Sequence, residues 1–251
     1  MTRSRASTPR LSPQLAAFAP ALVIFDKDGT LIDFHAMWGG WLTELARRLE
    51  TATGMPIADK LFKAMGFEAS AGQIEPAGQL AITPMAGLRK LTLELLRGVG
   101  LSPQAAETAM AAAWHLPDPV ALAQPLTDLK DLFSTLRAYG TRVAIATSDD
   151  RTATETMLAA LNLAPLVDAL VCADDGVPIK PAPDMVLSIC GQLDIPPART
   201  VVVGDNPDDL RMGHAAGAGL VIGVLSGVSS ADNLAAEADI LLPNVEKLLQ
   251  P

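Results

Sequence analysis

Short apolar runs that stop abruptly at a polar turn constrain this chain most. Ala21–Phe25 reads ALVIF and breaks into Asp26-Lys27-Asp28-Gly29-Thr30. Arg142–Ala146 (RVAIA) ends at Thr147, and Thr200–Val203 (TVVV) runs into Gly204-Asp205-Asn206-Pro207-Asp208-Asp209. Ala169–Cys172, Gly219–Val224 and Asp239–Leu242 are further runs of the same kind. Unbroken apolarity over four or five residues is the mark of strands buried on both faces, as in a parallel sheet. Helical patterns lie between them, over Leu126–Tyr139, Arg151–Leu161, Pro183–Leu193 and Pro207–Ala216. In the first of these, Leu129, Leu132, Phe133 and Leu136 fall on one helical face and Gly140 is a plausible stop. Pro207 stands just inside the start of the last. Strands alternating with helices predict an α/β fold built on a doubly wound parallel sheet.

One stretch breaks the alternation. From Phe34 to Leu122 no strand is predicted, only helices over Trp38–Thr53, Ile57–Met65, Gly78–Arg97 and Pro103–Trp114, the last opened by Ser102 as N-cap. An insert this long is no ordinary crossover. The expected organisation is a flexible tail over 1–20, an α/β catalytic core over 21–33 and 123–251, and an inserted α-helical cap over 34–122. The 251 residues are 49 % hydrophobic, ample for a core and against wholesale disorder. A net charge of −9 argues against nucleic acid as a partner. The same charge would repel a phosphorylated ligand unless a bound cation corrects it locally. Cys172 and Cys190 sit in apolar stretches without metal-ligand spacing and are expected to be reduced, buried thiols. The basic start MTRSRASTPR imitates a signal peptide, but no uninterrupted apolar segment follows before ALVIF, and no run is long enough to span a membrane. A cytoplasmic protein is expected, monomeric or homodimeric.

Ligands of open α/β sheets bind at the carboxyl ends of the strands, and four such ends here carry groups suited to phosphoryl transfer. In Asp26-Lys27-Asp28, alternation places the two carboxylates on one side and Lys27 on the other. Paired carboxylates resist being charged together, and the pair suits a nucleophile with a proton donor beside it. An Asx-rich turn would read the same way. Thr147-Ser148-Asp149 offers hydroxyls and N–H groups at a helix start, where a phosphate or a simple N-cap would serve equally. Lys180, in Ile179-Lys180-Pro181-Ala182-Pro183, can neutralise phosphate oxygens. Asp205 and Asp209 lie one helical turn apart and supply the hard oxygens that Mg²⁺ prefers, whereas Asp208 suits the helix dipole.

Four strand ends in this order resemble the haloacid dehalogenase (HAD) superfamily, through FDKDGTLID, VAIATSD, IKPAPD and VVVGDNPDDLRMGHAAGAG. The likeness spans Leu22 to Leu242 and is nearest the phosphoglycolate phosphatase-like group. It implies a Rossmann-like HAD core, with Asp26 as nucleophile and Mg²⁺ ligand and Asp28 as general acid and base that binds metal through its backbone carbonyl. It further implies Thr147 and Lys180 on the phosphoryl group and Asp205 and Asp209 on Mg²⁺. Gly29, Thr30, Ser148 and Asp149 are the accompanying phosphate-binding candidates. Lys27 departs from the commonest pattern and is expected to matter little, pointing away from both aspartates. Asp28 argues against dehalogenase and phosphonatase chemistry.

The function this implies is Mg²⁺-dependent hydrolysis of a small phosphorylated metabolite, phosphoglycolate-like or a sugar phosphate, through an aspartyl-phosphate. A phosphomutase of the beta-phosphoglucomutase kind and a non-catalytic phospho-accepting module remain as alternatives. In the insert, Trp38 and Trp41 are expected to be core anchors. Gly39-Gly40 could mark a bend, and His35 suits pocket and surface equally. Lys60, Lys63 and Arg89 read as a solvated face, Trp114 and His115 as minor site candidates, and His214 as structural.

Overall fold

The structure, a computed structural model, describes residues 10–83 and 85–250. It divides into two compact units, one running through Asp33 and resuming at Pro125, the other Phe34–Gln124.

The first unit is built on six parallel strands: β1 (Leu22–Phe25), β2 (Arg142–Ala146), β3 (Ala169–Val171), β4 (Thr200–Gly204), β5 (Leu220–Val224) and β6 (Ile240–Leu242). Their order is β3-β2-β1-β4-β5-β6, so the winding reverses between β1 and β4, where open sheets of this kind form their crevice. Alternation within β1 covers both faces. Leu22 and Ile24 join Val186 and Ile189 of helix Asp184–Leu193 in one cluster. Phe25 stacks on Phe133 of helix Leu129–Ala138, ring centroids 5.5 Å apart. Fully buried side chains of this size each contribute about 1.5–3 kcal/mol. In register, Phe25 lies beside Ile145 and Val203. Asp26, Thr147 and Asp205 therefore emerge at one edge of the sheet.

The first residues differ from the expected tail. Positions 1–9 lie outside the described residues, but Arg10–Leu11 pairs antiparallel with Leu249–Gln250 and Pro13–Phe18 is helical. Ser12 caps that helix, its Oγ accepting from Leu15 N at 3.4 Å, with Pro13 following and Leu15 fully buried. This is the same Ser-Pro signal that opens helix Pro103–Ala113.

The second unit is helical: Phe34–Thr53, Ala58–Met65, Gln79–Ile82, Met85–Gly98 and Pro103–Ala113. Trp41, Leu45 and Leu49 of the first helix share a core with Leu61, Leu88, Leu96 and Met110. Two details correct the sequence reading and a third adds to it. The expected helix over Gly78–Arg97 is interrupted, because Thr83 is extended, as a residue before proline prefers. A two-residue hairpin, Phe67–Glu68 with Gln73–Ile74, lies where no strand was expected and is too short to show a period. Gly39 and Gly40 lie inside the first helix, where a Cβ would meet the Phe67 ring at 2.8 Å and Leu122 at 2.9 Å, so they allow close packing.

Candidate active site

Lys180 organises one half of the site. Its side chain is 6 % exposed, with Nζ 2.5 Å from Asp26 Oδ1 and 2.7 Å from Asp209 Oδ1. Burial opposes the ammonium charge, but Asp209 and Asp26 outweigh it, and the lysine pKa is raised. Asp209 is aimed by the helix start. Asn206 is the N-cap, Pro207 follows, and Asp209 Oδ2 accepts from Asn206 N at 3.1 Å in a capping box. One carboxylate thus holds the helix with one oxygen and Lys180 with the other. Asp208 is half-buried and pairs with Arg211 at 3.0 Å, outside the site.

Asp205 completes a triad. Asp26, Asp205 and Asp209 each offer an oxygen within 4.8 Å of the others. Burial first, then the charges of Asp26 and Asp209, push the Asp205 carboxyl well above its ordinary value, and burial likewise raises Asp209 to about 6. Thr30 Oγ1 donates to Asp205 Oδ1 at 3.2 Å. Glycines give the carboxylate its room: a Cβ on Gly29 would stand 2.5 Å from Asp205 Oδ2, and one on Gly227 would overlap it. Gly29 also has φ +86°, and its carbonyl accepts from Ser226 Oγ at 2.7 Å. Crowded oxygens in a cradle that a single methyl would fill suit a hard divalent cation. The Asp28 carboxylate is not in this triad.

Asp28 has a different partner, and here the expectation for Lys27 fails. Lys27 is 2 % exposed and fully engaged, with Nζ 2.5 Å from Asp28 Oδ1 and 2.9 Å from Asp149 Oδ2. Alternation holds only as far as the strand does. Beyond Phe25 the chain turns, with the Lys27 carbonyl accepting from Leu31 N and Ile32 N. The four-carbon stem then reaches the neighbouring carboxylate. Burial raises Asp28 to about 6 despite Lys27. Burial works against the Lys27 charge too, yet Asp28 and Asp149 raise its pKa.

The remaining candidates divide. Thr147 is 2 % exposed and its Oγ1 accepts from Asp149 N at 3.1 Å, which leaves the hydroxyl hydrogen to donate elsewhere. Ser148 is exposed. Gly29 N donates to Ile32 O, the Thr30 hydroxyl to Asp205, and Asp149 faces Lys27, so these three serve the site's framework. Ser226 and Gly227 went unnoticed in the sequence. They follow β5, a fifth strand end to which the same positional rule applies. In the helical unit, His35 Nδ1 accepts from Ile74 N at 3.0 Å and Trp41 Nε1 donates to His115 O at 2.9 Å. Trp41 packs edge-on against Trp114 at 5.4 Å. All four are part of that unit's own packing. His214 Nε2 meets Glu237 O at 2.7 Å, a structural contact. Cys172 and Cys190 are free and buried. Among the described residues no helix is long and apolar enough to cross a membrane.

Comparison with known proteins gives this geometry its setting. A family model, "haloacid dehalogenase-like hydrolase", matches residues 20–217. The phosphoglycolate phosphatase of Rhodospirillum rubrum is 27 % identical over 209 residues, 81 % of this chain and 79 % of the relative. The validoxylamine A 7'-phosphate phosphatase of Streptomyces hygroscopicus subsp. limoneus is 28 % identical over 92 % of this chain and 96 % of its own. Among solved structures, a HAD-superfamily hydrolase of subfamily IA from Geobacter sulfurreducens superposes with a TM-score of 0.60. It covers 92 % of this chain and 95 % of its own at 17 % identity, a likeness of fold.

Proposed function

The chain belongs to the haloacid dehalogenase-like hydrolases, and from that premise we propose that it is a Mg²⁺-dependent phosphatase of small phosphate monoesters, with Asp26 as nucleophile. The observation that carries this is Asp26 itself. It stands where the strand order reverses, bridged by Lys180 to Asp209, with Asp205 alongside. The phosphatases among its relatives support the same substrate class. The helical unit Phe34–Gln124 corresponds to the inserted cap expected from the sequence.

Asp26, Asp205 and Asp209 would hold Mg²⁺, which when bound would supply charge neutralisation for the phosphoryl oxygens. Lys180 adds a fixed positive charge, and the Thr147 hydroxyl donates to a phosphoryl oxygen. Asp26 forms the bond to phosphorus as the ester P–O bond breaks, and Asp28 gives its proton to the departing alkoxide. A water then attacks the aspartyl-phosphate, passing its proton to Asp28 and releasing inorganic phosphate and the Asp26 carboxylate. The elevated pKa of Asp28 supports the acid role. The free, buried thiols support a reducing compartment, the cytoplasm.

The test is phosphate release from small phosphate monoesters with Mg²⁺ or with EDTA. Asp26→Asn is expected to lose at least about a thousandfold in kcat, and EDTA to abolish turnover. Near wild-type rates from Asp26→Asn would refute the reading, as would interconversion of sugar phosphates without phosphate release.

A further inference from the structure

We infer that Lys27 is a positioning residue for the proton-transfer step, tying the Asp28 carboxylate to Asp149 so that Asp28 faces the leaving oxygen. The inference rests on the phosphatase reading above and extends it to Lys27, the position of the first motif that departs from the commonest pattern.

Three observations carry it. Lys27 is a lysine almost without solvent, 2 % exposed, in the interval between the two aspartates of the first strand end. Its ammonium makes two contacts, 2.5 Å to Asp28 Oδ1 and 2.9 Å to Asp149 Oδ2. Those carboxylates belong to the ends of adjacent strands, β1 and β2, which the sheet holds in register. A buried ammonium is tolerated only with such partners. Asp149 is itself fixed, its N–H donating to Thr147 Oγ1 at 3.1 Å and its carbonyl accepting from Ala173 N at 3.0 Å. The line Thr147–Asp149–Lys27–Asp28 therefore connects a candidate phosphate contact to the candidate acid.

This division mirrors the other half of the site. Lys180 bridges Asp26 and Asp209, the nucleophile and a metal ligand; Lys27 bridges Asp28 and Asp149, the acid and its neighbour. Each proposed reacting carboxylate has its own ammonium, and the two functions are held apart. A side chain free to rotate would spend only part of its time with its proton directed at the ester oxygen. General acid catalysis falls with that fraction, while the attack of Asp26 does not.

Leaving-group dependence separates this role from a structural one. Alkoxides need a proton to depart, whereas p-nitrophenolate does not. In Lys27→Met, kcat/KM for a small alkyl phosphate should fall about 10- to 100-fold, a fraction of a full general-acid effect. For p-nitrophenyl phosphate it should fall less than about threefold, with KM little changed for both. Lys27→Arg, which keeps the charge, should restore most of the alkyl-phosphate rate. In thermal unfolding under EDTA, the losses from Lys27→Met and Asp149→Asn should not add in the double variant, as expected of one shared contact. Equal losses on both substrates, or none on either, would overturn the role of Lys27, and so would strict additivity. Asp28→Asn is the control: if it lacks leaving-group dependence, the proton-donor reading of Asp28 fails and the inference with it. If Asp28→Asn shows the dependence and Lys27→Met does not, the reading stands and only the inference falls.

Discussion

Replacing Asp205 by Asn should stabilise the metal-free protein while removing its response to Mg²⁺. Asp205 is 3 % exposed, and one of its oxygens lies within 4.8 Å of oxygens on Asp26 and Asp209. At an effective dielectric of about 20, each such pair repels by roughly 3.5 kcal/mol. Lys180 offsets part of this, and the carboxylates relax, so a net gain of about 1–3 kcal/mol is expected on neutralisation. Asn keeps the shape between Gly29 and Gly227 and still accepts from Thr30. For a chain of this length each kcal/mol moves Tm by about 2–4 °C. The sign depends on pH. The Asp205 pKa is raised, mainly by burial, then by Asp26 and Asp209. Such a carboxyl stabilises the fold while protonated and ceases to as pH rises through the raised value. The advantage of Asn should therefore vanish near pH 4 and be greatest in alkaline buffer. The assay is thermal unfolding in EDTA across pH, repeated with increasing Mg²⁺. Wild-type Tm should climb with Mg²⁺, as for any ligand of the native state, and Asp205→Asn should stay flat. An Asn variant less stable in EDTA, and still stabilised by Mg²⁺, would refute the argument.

Two further outcomes follow from the ion pairs. Lys180→Met leaves Asp26 and Asp209 buried without their ammonium. It should cost about 3–5 kcal/mol in EDTA, recover partly with Mg²⁺, and lose phosphate release by orders of magnitude, read by calorimetry and a phosphate assay. Asp168→Ala should cost about 2 kcal/mol without changing KM, because Asp168 joins Arg137, Arg142 and Val143 N away from the strand ends. Burial opposes the Asp168 charge, but the Val143 N–H and the two arginines hold its pKa below the ordinary value. Its stabilisation is present above about pH 4 and disappears as pH falls through the depressed value. Acid unfolding of wild type and variant should therefore converge at low pH.

The strand ends were legible because parallel strands buried on both faces write themselves as apolar runs, and the turn that follows each run is where polar residues gather. Asp26, Lys180, Asp205 and Asp209 were singled out by that rule together with the resemblance carried by the four motifs, and Pro207 and Asn206 explain why Asp209 turns inward. What was missed lies where local pattern says little about reach. Lys27 was assigned a direction from strand alternation, but β1 ends at Phe25, and a flexible lysine past a strand end answers to the nearest carboxylates. Thr30 and Gly29 were read as facing a ligand, whereas one donates to Asp205 and the other makes room for it. Ser226 and Gly227 carry no charge and form no motif, so although they follow a strand end, the sequence offered position but no chemistry to single them out. The hairpin at Phe67–Ile74 is two residues per strand, below the length at which a period of two can be counted.

The two lysines also bear on why a cation is needed at all. Asp26, Asp28, Asp149, Asp205 and Asp209 are five carboxylates within one strand-end cluster, against the ammonium groups of Lys27 and Lys180. A third lysine would reduce the imbalance but would fix a donor on oxygens that have to remain available, since Lys180 already holds one oxygen of Asp26. A divalent ion brings twice the charge in a smaller volume and keeps coordination positions for a phosphate oxygen. The unpaired share falls on Asp205, which has no ammonium partner among the described residues and accepts from the Thr30 hydroxyl. Its pKa is raised by burial first and then by the charges of Asp26 and Asp209, and it is the carboxylate on which binding of a cation should have the largest effect.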